Sequence, residues 1–427
     1  MALGPQQRPS FTPMMSSNVD GSREQRSAKQ AVARLAELPA LHEAFAWFRS
    51  HSREFEDLQL ELTAIPAPPW GEAARSDWLR VRFEQLGLVK IEQDELGNVF
   101  GVLPGSEAEA PFVALSAHLD TVFPAGTPIQ VSRESGKLYG PGIADNGAGL
   151  TALLAIAGVL RENGIGHSAP ILFIGNVGEE GEGNLRGMRH IFERPEWSES
   201  IGTMVVLDGA GTDTVIAEGL GSRRYEVTVR GVGGHSWSDF GIANPVVALA
   251  RIIDRFSRTT VPSNPKTTFN IGTVEGGTSV NSIPQSATMR VDTRSASVEQ
   301  LDRLERALHD AMKEGTAETN GRKKLGALQA EVRVIGDRPA ADLPSDSRLL
   351  KAIRAVDAHL NISARMQRAS TDANIPLSLG REAIAIGAGG CGGGAHTVDE
   401  WYDAAGRDLG LKRILLLTLA LCGVPEE

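Results

Sequence analysis

The sequence predicts an α/β domain built on a parallel sheet, with a second, ferredoxin-like α+β unit inserted into it. Short unbroken apolar runs alternate with helical periods from Leu41 to Glu218, the pattern of a parallel sheet with helices on its faces. After Gly221 the order becomes β-α-β-β-α-β, and Tyr225, Val227 and Val229 alternate with polar residues, as in a strand with one wet face. After about Gly336 the first pattern resumes, so the second unit interrupts the first instead of following it. A chain of 427 residues also exceeds the ~250–300 residues at which a single core stops growing.

Residues 1–40 open with a Pro, Ser, Gln and Arg mixture that lacks the apolar centre of a secretory signal, and they read as a mobile tail. Residues 41–221 supply the first part of the sheet domain, with strands at Phe112–Ala117, Ile171–Val177 and Met204–Leu207 and helices at Gly149–Glu162 and Leu185–Glu193. Ile171-Leu172-Phe173-Ile174 is apolar throughout, as burial on both faces demands. In residues 222–336, Asn244 and Pro245 suit the N-cap and first position of a helix over Val246–Phe256. Strands follow at Thr268–Val274 and Ala287–Val291. Ser297 and Gln300 form a capping-box pattern before Val298–Met312, and Glu331–Ile335 closes the unit. Residues 337–427 return to the first domain with helices at Leu349–Leu360 and Leu411–Leu421 and a strand at Ala383–Gly387.

Composition excludes several classes. Hydrophobic residues make up 41% and charged residues 22%, which fits a globular chain. The net charge of −10 repels phosphate backbones and anionic lipid, so neither nucleic acid nor a membrane surface is an expected partner. The longest apolar stretches, Leu150–Leu160 and Ile414–Val424, are shorter than the ~18 residues of a membrane span. Cys391 and Cys422 make neither a disulfide framework nor a Cys-x-x-Cys pair, and a reduced, cytoplasmic setting is expected.

The chemistry gathers where apolar strands end. Ala114-Leu115-Ser116-Ala117-His118-Leu119-Asp120 finishes in His-x-Asp. Residues two apart on a strand share a side, so Asp120 can fix the His118 tautomer. Asp145 follows in Gly140-Pro141-Gly142-Ile143-Ala144-Asp145-Asn146-Gly147-Ala148-Gly149. An Asp there can be a helix cap, but a cap does not need so many glycines. Glu179 and Glu180 come just past the Ile171–Val177 run; adjacent acids repel unless a cation lies beside them, one acid binding it and the other moving protons. Val205-Val206-Leu207-Asp208 and the glycine-rich run ending at His396 repeat the formula. A parallel sheet collects such ends along one edge. Imidazoles and carboxylates without thiolate suit two divalent ions, zinc, cobalt or manganese, about 3.5–4 Å apart around a water.

Gly387-Ala388-Gly389-Gly390-Cys391-Gly392 also satisfies Gly-x-Gly-x-x-Gly, but Gly-Gly-Ala-His follows it where a dinucleotide site needs a helix. No Gly-x-Ser-x-Gly elbow or Walker-type Gly-Lys-Ser/Thr occurs.

Together, His118-Leu119-Asp120, Asp145 in its glycine loop, Glu179-Glu180, Asp208 and His396 resemble the dinuclear zinc metallopeptidase family of aminoacylase, acetylornithine deacetylase, succinyl-diaminopimelate desuccinylase, glutamate carboxypeptidase and peptidase T. The resemblance runs from about Leu41 to the C-terminus. It implies a three-layer zinc-exopeptidase-like catalytic domain with an inserted ferredoxin-like α+β lid and dimerisation domain. It also implies that His118 and Asp208 hold one metal ion, Glu180 and His396 the other, and that Asp145 bridges them. Glu179 becomes the general base, Asp120 orients His118, and the Asp145–Asn146 peptide is expected to be cis. In the lid, Gly233-Gly234-His235-Ser236 matches the family's histidine turn, which reaches a neighbouring subunit's site and helps hold the oxyanion. Asn281 and Arg294 match residues that contact the substrate's carboxylate end, a task suited to a guanidinium fork, although Arg294 could instead pair with Asp292 on the surface.

The implied activity is hydrolysis of an amide in di- or tripeptides, by an exopeptidase using a metal-bridged water, most simply with two zinc ions and in a homodimer joined through the lid. An N-acyl amino acid deacylase of the same family is the alternative, and a non-catalytic peptide-binding homologue is the alternative of another class.

Overall fold

In the computed structural model, which describes residues 17–321 and 326–425, four of the apolar runs become neighbouring parallel strands. Their order is Ile171–Asn176, Phe112–His118, Ile201–Leu207 and Glu382–Ile386. The first two are buried almost end to end, as they must be when both faces are covered. The connection from Phe112–His118 to Ile171–Asn176 steps one way through the helix Gly147–Glu162. The next connection steps back the other way through Arg186–Glu193 and Pro195–Ser200 to reach Ile201–Leu207. Right-handed crossovers in opposite directions put their helices on opposite faces. A crevice therefore opens where the two central strands end, and that is where a doubly wound sheet binds ligands. The register pairs Ser116 with Val206, which sets His118 and Asp208, two residues further on in each chain, level there.

The full sheet has nine strands and is mixed, where the sequence suggested a parallel one. Val99–Leu103 runs antiparallel to Ile171–Asn176 and is joined to Val89–Gln93 by a short turn. In that turn the Asp94 carboxylate accepts the N–H groups of Leu96, Gly97 and Asn98. A connection this short permits only antiparallel pairing. At the other edge Thr214–Gly219 is antiparallel to Glu382–Ile386.

The expected mobile tail over 1–40 is also corrected where it is described. Ser17–Ala36 is a helix. Val32, Leu35 and Ala36 are buried in the main core with Ala28 packed against it, the spacing of one helical face. The polar residues between them, which gave the stretch its disordered look, form the wet side. Residues 1–16 lie outside the described residues.

The second unit is a four-stranded antiparallel sheet in the order Thr267–Gly276, Ser286–Ser295, Gly221–Arg230, Gln329–Arg338. Tyr225, Val227, Val229, Ala287, Met289 and Val291 form an apolar cluster with Leu249, Ile252 and Phe256 from the helix Pro245–Ser257 and Leu304 and Leu308 from Val298–Gly321. This cluster is separate from the main core. The chain enters and leaves the unit side by side: Arg338 pairs with Ser222, and just beyond it Ala341 pairs with Gly219 of the main sheet.

Candidate metal centre

His118 ends its strand with the ring buried. Its Nδ1 lies 3.1 Å from the Asp120 carbonyl oxygen and 3.6 Å from the Asp120 carboxylate. A proton on Nδ1 is thereby held, and Nε2 faces the crevice. Nε2 sits 3.1 Å from Asp145 Oδ1 and 3.8 Å from Asp208 Oδ1. The other Asp145 oxygen, Oδ2, is 3.3 Å from His396 Nε2, which is itself 3.2 Å from Glu180 Oε1. Asp145 thus presents one oxygen to each of two donor groups. Asp120 has a second task, because its carboxylate accepts the backbone N–H groups of Glu179 at 3.0 Å and Glu180 at 2.8 Å.

The backbone shapes these positions. The Asp145–Asn146 peptide is cis. Gly178, just before the two glutamates, has φ +68, and a Cβ there would lie 1.9 Å from Arg186 Nη1, so only glycine turns this corner. Asn146 caps the helix Gly147–Glu162 by accepting Gly149 N–H at 3.0 Å, accepts Gly209 N–H at 3.1 Å, and donates to Leu207 O at 2.9 Å. The loop carrying Asp145 is thereby stitched to the one carrying Asp208.

Burial and close charges move the titrations. Burial works to lower His118, yet hydrogen bonds to Asp120, Asp145 and Asp208 lift its imidazole well above the ordinary value. The Asp145 hydrogen bond raises His396 to about 9. Burial opposes ionisation of Asp145, but the two imidazoles hold its carboxyl below the usual range. Burial, with the Asp145 charge adding to it, pushes Glu180 up to about 7. Burial raises Glu179 well above the usual carboxylate value, against the pull of Arg338.

Three donor groups therefore overlap: His118 with Asp145 and Asp208, His118 with Glu179 and Glu180, and Asp145 with Glu180 and His396, each with its donor atoms within 4.8 Å. Carboxylates and imidazoles this close, with no thiolate among them, fit divalent cations of the zinc, cobalt or manganese kind. Of the residues singled out in the sequence, His118, Asp120, Asp145, Glu179, Glu180, Asp208 and His396 come together here.

The other three stand on the second unit with local partners. His235 is exposed, and its Nδ1 receives the Trp237 N–H at 3.2 Å. The Asn281 carbonyl accepts Ser236 N–H at 3.0 Å, and the Asn281 side chain accepts the Ser279 hydroxyl. Arg294 pairs with Asp292 at 2.8 Å, the surface arrangement that was the alternative for it.

Sequence reasoning missed three participants. Glu400 is fully buried, and its carboxylate accepts the N–H groups of Gly142, Ala144 and Asp145 at 2.8, 2.9 and 2.8 Å. Arg338 donates to Glu179 Oε1 at 3.0 Å and also to the Glu179 carbonyl. Asp372, fully buried, accepts from Asn176 at 2.6 Å, and burial pushes it up to about 7. Arg338 and Asp372 follow no apolar run that would have marked them.

A doubly wound sheet whose strand ends and loops gather two histidines and five carboxylates defines a hydrolase of the metallopeptidase and amidohydrolase kind. Residues 114–419 match the Peptidase family M20/M25/M40, and the chain belongs to that family. Carboxypeptidase G2 of Pseudomonas sp. (strain RS-16) is 27% identical over 281 residues, covering 63% of this chain and 64% of that protein, just under two thirds of its length. Aminopeptidase PepT from Bacillus cereus ATCC 10987 superposes with a TM-score of 0.70 at 20% identity, covering 87% of this chain and 99% of that one. The Bacillus subtilis YXEP protein, described as a dinuclear metal binding peptidase, gives 0.63 at 17% identity over 88% and 100% of the two chains.

Proposed function

We propose that this hydrolase cleaves an amide bond in small peptides as a di- or tripeptide exopeptidase, with Glu179 as general base and two divalent ions held by His118 and Asp208, by Glu180 and His396, and by Asp145 between them. The observation that carries the proposal is Asp145 offering one oxygen toward His118 and the other toward His396, 3.1 and 3.3 Å away. When bound, the ions supply Lewis-acid polarisation of the scissile carbonyl and a lowered pKa for a water. Of the candidate metals, zinc suits the donor set first, with cobalt and manganese next.

The chain's own residues then move the proton. The buried Glu179 carboxylate takes a proton from water as the oxygen adds to the carbonyl carbon, then delivers it to the departing amine as the C–N bond breaks. Its raised pKa favours holding that proton between the two steps. Asp120 keeps the His118 tautomer and the Glu179–Glu180 backbone fixed, so neither must reorganise during turnover. In this reading residues 222–336 act as lid and dimerisation unit on a catalytic domain made of residues 41–221 and 337–427. His235 reaches the neighbouring subunit's site in a homodimer, and Asn281 and Arg294 engage the substrate's carboxylate end, Arg294 exchanging Asp292 for it.

A hydrolysis panel tests the substrate class, setting di- and tripeptides against acetyl, succinyl and aromatic acyl amino acids. Peptides are expected to turn over fastest; preference for an acyl amino acid by tenfold or more would replace the exopeptidase with the deacylase. Glu179→Gln is expected to keep its metal and lose about 10²–10⁴ in kcat. Turnover at the parental rate would remove Glu179 from the role of base.

A further inference from the structure

Glu179 is held by a residue from outside the main sheet domain's strand ends. Arg338 is the last residue of the strand Gln329–Arg338, by which the chain leaves the second unit, and it pairs with Ser222, where the chain enters. It is 7% exposed. One nitrogen, Nη1, donates to Glu179 Oε1 at 3.0 Å and to the Ser370 hydroxyl at 3.2 Å. The other, Nη2, donates to the Glu179 backbone carbonyl. A guanidinium gripping a carboxylate and its own carbonyl leaves that side chain one orientation.

The same root of the second unit holds the rest of the turn. Arg224 donates to Gly181 O at 3.0 Å, Asp337 N–H donates to the Asn184 side chain at 2.9 Å, and Arg189 donates to Asp337 O. Asn184 and Leu185 sit in the left-handed region at φ +53 and +59. These are conformations that non-glycine residues hold only when their surroundings impose them. The two crossing strands thus meet the segment 179–185 through Arg224, Asp337 and Arg338.

We propose that Arg338 is a positioning residue, aiming the Glu179 carboxylate and tying that aim to the seating of the second unit. The proposal rests on Glu179 being the base. With Oε1 engaged, Oε2 is the oxygen left to take the proton from water and return it to the amine nitrogen. Arg338 transfers nothing itself.

The test compares parent, Arg338→Met, Arg338→Lys and Glu179→Gln, all metal-loaded, on the best substrate from the hydrolysis panel and by hydrogen–deuterium exchange of the 179–185 amides. Arg338→Met is expected to lower kcat about 100-fold, the effect of a reacting group misplaced by an ångström, with KM within threefold and metal content unchanged. Exchange at 179–185 should rise about tenfold while the strand Phe112–His118 stays protected. Arg338→Lys keeps the charge but not the two-point grip, and it is expected to recover about tenfold of the lost kcat. It also serves if the methionine variant fails to fold, then read as a roughly tenfold kcat loss against parent. Unchanged kcat, or a raised KM at parental kcat as a substrate contact would give, overturns the proposal, as does unaltered exchange. Glu179→Gln separates the two readings: parental turnover there defeats the base, whereas its loss beside an unaffected Arg338→Met defeats only the positioning role.

Discussion

Replacing Glu400 probes how the Asp145 loop is built. Its Oε1 accepts from Ala144 and Asp145, and its Oε2 accepts from Gly142. Glu400→Ala strands three backbone donors in a site where the native residue is fully buried. Each stranded donor costs about 1–3 kcal/mol, and water entering the vacated space recovers part of the sum, so a loss of about 3–5 kcal/mol is expected. Glu400→Gln keeps a carbonyl oxygen for Ala144 and Asp145 but turns an amide N–H₂ toward Gly142 N–H, one bond lost, for about 1–3 kcal/mol. Urea unfolding at constant m reads these values. Because Asp145 N–H is among the donors, both variants should also bind metal more weakly, alanine more so. A Glu400→Ala protein within 1 kcal/mol of parent, with unaltered metal content, would refute the claim that this carboxylate holds the loop.

Three further outcomes follow from the same structure. Asp357→Ala leaves Arg413, whose side chain is wholly buried and doubly bonded to Asp357 at 2.6 and 2.8 Å, without its partner, and urea unfolding should show a loss of about 3–5 kcal/mol. Gly149→Ala would bring a Cβ within 2.1 Å of Asn146 Oδ1 and 2.5 Å of Leu207 O; a destabilisation of about 1–3 kcal/mol with reduced metal content is expected. Metal uptake by chelator-stripped protein should release protons. His396, raised to about 9, carries a proton at pH 7 that ligation expels; Glu180, pushed up to about 7, carries one about half the time, and the raised His118 imidazole adds to the release. Calorimetry in two buffers of different ionisation enthalpy should find more than one proton released, with affinity strengthening as pH rises toward the His396 value. Release of less than one proton would contradict the assignment of both imidazoles as ligands.

The seven clustered residues were legible because six of them sit in loops that follow or interrupt apolar runs and the seventh, His118, ends one. A sheet then brings such ends to one edge whatever their distance along the chain. Glu400 could not be read this way. It lies in Ala395-His396-Thr397-Val398-Asp399-Glu400, with no apolar run before it, and its role exists only once the short strands Trp401–Asp403 and Lys137–Tyr139 pair and bring it beside the glycine loop. Arg338 lies at a junction between units, where strand periodicity says nothing about which side chain turns back into the main domain. The helix Ser17–Ala36 escaped notice because mean composition, dominated by its wet face, outweighed the narrow stripe of Val32, Leu35 and Ala36. Strand direction at the sheet edge cannot be read from composition, and Val99–Leu103 shows it: its apolar run is indistinguishable in kind from that of Ile171–Asn176, against which it runs antiparallel.

Anomalous diffraction from crystals of the zinc-loaded protein tests the central claim most directly. Two peaks about 3.5–4 Å apart are expected astride Asp145, one beside His118 and Asp208 and the other beside Glu180 and His396. A single peak, or two that leave Asp145 to one side, would contradict it.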